Sequence, residues 1–110
     1  MSYEPVADDP LGGTLVGMTA TSLERCDLPD RDIMVARVAT LAAIGAPALS
    51  YTLNAGAAAE SGLTLEDAEG ILVAVAPIIG TARTVAAALA MREGLGLALA
   101  LLAAAEDEES

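Results

Sequence analysis

Few residues in this chain have chemistry to offer, and several of them sit together. Ser50, Tyr51, Thr52 and Asn54 fall within five consecutive positions and supply three hydroxyls and a carboxamide. On a helix they span little more than one turn, so they could offer a small polar ligand a cluster of donors and acceptors. A serine with no base beside it is a poor nucleophile, which points to binding rather than covalent chemistry. Asn54 has two readings: a donor into a pocket, or a buried amide satisfied by backbone or by a neighbouring subunit. Arg83 is an isolated cation in the first turn of a predicted helix, where the helix dipole disfavours it. It therefore needs a specific partner, either an acid on another subunit or an anionic ligand. Ser50, Tyr51, Asn54 and Arg83 form the candidate pocket. Arg37, alone among apolar neighbours, is expected to pair with Glu60 or Glu69.

What is missing is equally informative. There is no His, so no imidazole can act as acid, base or metal ligand. The single Cys26 excludes an internal disulfide, a Cys-x-x-Cys pair and a thiolate zinc site, and it reads as an incidental packing residue. Glu66, Asp67 and Glu69 open a predicted helix, where acids belong, and their spacing matches no metal loop. No metal and no cofactor is expected.

The charge and the apolar content bound the partners. The chain of 110 residues carries 16 acids against five arginines, a net charge of −11. A surface this acidic is wrong for a phosphate backbone and for an anionic membrane surface. Between residues 33 and 105 there are only five acids and three arginines, while 55% of the whole chain is hydrophobic. One domain of this length hides its surface inefficiently, so the apolar excess needs somewhere to go. A membrane span is a poor fit, because Pro77, Gly80 and Arg83 interrupt the longest apolar run and no basic leader opens the chain. The remaining destination is another copy of the chain, in a cytoplasmic homo-oligomer.

The elements that must position these residues read as helices throughout. Residues 1–13, with Pro5, Pro10, Gly12 and Gly13, read as a flexible arm, and 14–25 as a short helix. Asp27-Leu28-Pro29-Asp30 starts a second helix that runs to Ile44, where Gly45 suits its end. A third spans Ala46-Pro47 to about Gly62. Thr64 caps a fourth, with Asp67 in the place of a capping-box acid whose short side chain reaches back less well than Glu. Leu65, Ala68, Leu72, Val75 and Ile79 form its apolar stripe, and Ile71, Ala74 and Ile78 widen it. Pro77 must kink or end it. Thr81 caps the last helix, which Gly94 and Gly96 weaken and divide. The acidic tail, 106–110, suits no helix C-terminus and should fray. Sustained period-two alternation is absent, so the expectation is a single all-α domain over 14–105 with about five helices.

This order of helices and turns resembles the carboxymuconolactone decarboxylase family, which includes the alkylhydroperoxidase-like proteins. The resemblance covers about Leu28 to Leu95. It is carried by Leu28-Pro29-Asp30-Arg31-Asp32, by the Ala-rich stretch from Ala55 into Gly62-Leu63-Thr64-Leu65-Glu66-Asp67, and by Pro77-Ile78-Ile79-Gly80-Thr81-Ala82-Arg83. It implies an all-α fold whose helices interlock in dimers, trimers or hexamers. It also implies where chemistry would sit. Aligned on Gly62-Leu63-Thr64, the redox cysteines of the family fall on Pro47 and Ser50, its His on Asn54 and its Glu on Val35. All four are replaced, which removes the nucleophilic thiolate, the resolving thiol and the proton relay.

Three functions remain from this reading. The first is a family-like protein without peroxidase chemistry, an oligomer with a degenerate small-molecule pocket or a structural role. The second is a lyase or isomerase acting on a small lactone or carboxylate held by Asn54, Tyr51 and Arg83. The third is an acidic protein-interaction module using the arm and the tail.

Overall fold

The structure is a computed structural model that describes the backbone of residues 9–109 and side chains up to residue 96. Every described element is helical: α1 (Pro10–Arg25), α2 (Asp30–Ile44), α3 (Ala48–Glu60), α4 (Leu65–Ile79) and α5 (Thr81–Glu109). No strand occurs among the described residues. No helix there is long and apolar enough to cross a membrane.

Local chemistry sets the helix ends. Gly45 closes α2 at φ 72°. Its N–H reaches the Ala42 carbonyl at 3.3 Å, and the Ala46 N–H reaches Leu41 at 3.0 Å. The same closure ends α3, where Gly62 at φ 86° donates to Ala59 and Leu63 donates to Ala58. Both are Schellman-type stops that need a left-handed residue. Two residues later Thr64 starts α4 with a complete capping box. The Asp67 N–H donates to Thr64 Oγ1 at 3.0 Å and the Thr64 N–H to Asp67 Oδ2 at 2.9 Å. Aspartate thus reaches back fully, against the expectation from its length. Helix α4 continues two residues past Pro77 and stops at Gly80. Pro77 cannot donate to the carbonyl of Val73 four residues back, but both residues face solvent, where water can take that place.

Four features of the helices differ from the sequence expectation. Helix α1 begins at Pro10, so 10–13 of the expected arm are helical, while residues 1–8 lie outside the described residues. Proline is favoured in a first turn, where its missing N–H is no loss. Thr81 is the first residue of α5 rather than its cap, and the nearby hydroxyl, Thr84 Oγ1, donates to the Gly80 carbonyl at 2.7 Å. Helix α5 runs unbroken through Gly94 and Gly96 and on through the acidic stretch to Glu109. Ala, Leu and Glu are strong helix formers, and their propensity outweighs the unfavourable charge at the end.

Helices α2 to α5 form the packed body, with α3 against α5 the most extensive pairing. Its buried centre includes Val38 and Ala42 of α2, Tyr51 of α3, Ile71 and Leu72 of α4, and Met91 of α5. Small residues let the backbones approach. A Cβ on Gly94 would collide with the carbonyl oxygen of Ala48 and stand 2.9 Å from Tyr51 Cβ. Helix α1 packs only lightly on this body and has no buried residue.

Candidate functional site

Helix α3 carries Tyr51 into the interior and leaves its neighbours in different places. Tyr51 is 1% exposed, and its Oη is buried with no hydrogen-bond partner among the described residues. Burial pushes the phenol pKa up, so the group is a protonated donor at neutral pH. Thr52, one position on, turns to α5 and donates to the Gly94 carbonyl at 2.8 Å. Asn54 is half-buried, and its Nδ2 donates to the Ser50 carbonyl at 2.9 Å, one turn back.

Tyr51 and Asn54 line one cavity of about 320 Å³. Its wall is otherwise nearly all aliphatic: Val38 and Leu41 from α2, Ala55 and Ala58 from α3, Ala68 from α4 and Leu95 from α5 are among it. The lining runs from buried Val38, Tyr51, Ala58 and Ala68 to exposed Ala59, Thr64 and Leu65, which places the rim at the α3–α4 turn. Thr64 is the third polar lining residue, and no lining residue is charged. Asn54 and Leu41 also line a second cleft, between α1 and α2, so they form the wall that separates the two.

The other two members of the expected pocket stand elsewhere. Ser50 is half-buried but does not line the cavity. Arg83 is exposed, and its Nη1 donates to the Ala43 carbonyl at 2.8 Å. That carbonyl belongs to the last turn of α2, where the dipole is negative. A cation misplaced on its own helix is therefore well placed at the end of another. Arg37 also finds a partner other than the expected acids. Its Nη2 donates to Ser22 Oγ at 3.1 Å and lies 3.5 Å from the Thr19 carbonyl, the polar tie of α1 to the body.

Arg31 is a contributor that residue type alone did not single out. From the first turn of α2 it donates to Asp67 Oδ2 at 3.0 Å and to the Gly62 carbonyl at 3.3 Å. It thereby straps the turn at the cavity rim. The Arg31 guanidinium, followed by the Thr64 hydrogen bonds, holds the Asp67 carboxyl far below the usual carboxylate range. The signal in the sequence was Asp67 itself, a capping acid with one lone pair set still to fill.

Chemically, the cavity can hold a small molecule, with Asn54 and the exposed Thr64 as its accessible polar residues. No residue that lines it titrates near neutrality, and it has no cation for a developing negative charge. Among the described residues no group of three or more His, Cys, Asp or Glu side chains is placed to hold a metal. No protein-family profile, curated protein or solved structure matches the chain.

Proposed function

We propose that this chain is a non-redox relative of the carboxymuconolactone decarboxylase-like proteins, a self-associating helical protein that binds a small molecule in the cavity around Tyr51. The observation that carries the reading is that cavity: an aliphatic chamber with Leu63 and Thr64 of the α3–α4 turn at its rim and the Asn54 carboxamide in its wall. Ligand sites are typically apolar chambers with a few fixed polar groups. The family resemblance rests on the turn and capping residues quoted above, and the structure uses those residues to build the rim. The replaced redox positions support a role without peroxidase chemistry. The lone thiol, Cys26, follows α1 and has no second thiol to resolve a sulfenic acid.

Self-association is supported by how much apolar surface the single chain leaves uncovered. Leu11, Leu15 and Met18 of α1 recur at one helical face, and each is more than half exposed. Leu53 is 75% exposed and Ile78 86%. Exposed apolar residues in this number give a second copy of the chain surface to cover.

Two measurements test the reading. Methyl NMR with a panel of small organic molecules should shift Val38, Leu63 and Leu95 together, and shifts scattered over the surface would reject the pocket. Hydroperoxide and a dithiol donor should give no turnover above a Cys26→Ala control. Turnover above it would reject the non-redox role.

A further inference from the structure

We propose that the cleft between α1 and α2, a site separate from the chamber around Tyr51, binds a small amphipathic monoanion, with its charge on the Arg37 guanidinium and its apolar body against Leu28 and Ile33.

Arg37 sets the charge of this cleft. Its guanidinium starts from α2 and reaches Ser22 and Thr19 of α1, and all three residues line the cleft, so the cation lies between the two walls. Its partners there are neutral, a hydroxyl oxygen and a backbone carbonyl. With 16 acids to five arginines a carboxylate partner is the expected outcome, yet none comes within ion-pair distance of Arg37 among the described residues. No acid lines the cleft either, and Arg37 is the one charged residue of its lining. Both of its bonds use Nη2, which leaves Nε and Nη1 without a partner among the described residues, and neither is sealed from solvent. The Ser22 hydroxyl accepts from Arg37 and keeps its own proton to donate. A half-buried cation without a counter-ion gains most from an anion, because hydrogen bonds between ionised groups are about twice as strong as neutral ones.

The walls define the rest of the ligand. The cleft holds about 460 Å³ and so falls within the range of small-molecule sites, roughly 300 to 1,000 Å³. Leu28, Ile33 and Leu41 give it an apolar side that suits a ring or a branched chain. One cation balances one negative charge, and a chain of net charge −11 repels a second. An aromatic carboxylate has this combination of a single charge and an apolar body.

The test uses benzoate, with benzamide as a neutral probe of the same shape. Each is titrated into the full chain, Arg37→Gln and Thr40→Glu, with the methyl resonances of Leu28 and Ile33 as the readout. Thr40 lies one turn on from Arg37 and also lines the cleft, so a glutamate there sets a carboxylate beside the guanidinium and leaves Arg37 in place. Circular dichroism checks that α1 stays helical, since Arg37→Gln also removes a tie to that helix. Benzoate should bind the parent chain about tenfold more tightly than benzamide. Both variants should lose that preference, and benzamide should bind all three proteins alike. Benzamide binding as tightly as benzoate, or a preference that survives in either variant, overturns the proposal. If benzoate moves the Leu63 and Leu95 methyls of the chamber instead, the cleft assignment falls and the chamber reading gains a ligand. If benzoate moves no methyl, the cleft assignment falls alone, because the chamber is tested separately by the panel of small organic molecules.

Discussion

Thr52 Oγ1 donates to the carbonyl of Gly94 at 2.8 Å and so ties α3 to α5 at a close approach of the two backbones. The carbonyl of Ala48, one turn before Thr52, occupies the space that a side chain at position 94 would need. A hydroxyl and the absence of a Cβ thus act together at one crossing, beside Tyr51.

Replacing Gly94 by Ala should be destabilising despite the better helix propensity of Ala. Overpacking a close contact costs about 1–3 kcal/mol, against a propensity gain of about 1 kcal/mol or less. Gly70→Ala, in the exposed middle of α4 with open space around its Cβ, should instead stabilise by about 0.5–1 kcal/mol. Urea denaturation of the two variants checks the opposite signs.

Tyr51→Phe should raise stability by about 1 kcal/mol in the ligand-free protein, because it removes a buried hydroxyl that has no partner. It should also extend stability to higher pH. The folded phenol titrates above its unfolded value of about 10. Stability is then complete below that value and declines as pH rises through it and towards the folded pKa. The Phe variant lacks this decline, which unfolding curves at neutral and alkaline pH would show.

Asp67→Asn should flatten the acid limb of the stability profile. The folded carboxyl sits well below its unfolded value of about 4, so the unfolded chain takes up the proton first. Its stabilising effect is present above about pH 4 and fades as pH falls towards the folded pKa. Unfolding of parent and variant should differ most near neutrality and converge in strong acid. A constant difference across that range would contradict the Arg31 pairing.

Glutamates in place of Leu15 and Met18 should lower the mass of the assembly. Both side chains lie on the uncovered face of α1, where a buried charge in an interface would be costly. Sedimentation equilibrium should give a multimer for the parent chain and a smaller species for the double variant, with helicity retained. An equal mass for both would move the interface to other surfaces.

The parts legible in the sequence are those decided by neighbours in the chain. Gly45 and Gly62 mark helix ends because a left-handed stop needs nothing more than the preceding turn, and Thr64 with Asp67 marks a start for the same reason. Partners far along the chain were not legible. Arg83 bonds Ala43, 40 residues away, and nothing in the residue types says which helix end it will meet. Arg37 is likewise drawn to Ser22 rather than to an acid. Gly94 reads as a weak point from propensity alone. Only the helix that faces it turns it into a contact. Within the site, Tyr51 and Asn54 line one cavity and Ser50 does not, because residues one position apart on a helix face directions about 100° apart.

The composition has a practical consequence once Tyr51 is placed. Phe and Trp are absent and Tyr3 lies outside the described residues, so this ring is the one aromatic group among the described residues. With Tyr3 replaced by Leu, the near-ultraviolet absorption, emission and circular dichroism of the entire protein would come from one chromophore. That chromophore sits in the wall of the chamber. Occupancy, exchange rate and the wetting of the interior could then be followed optically in unlabelled protein, with the reporter already at the place in question.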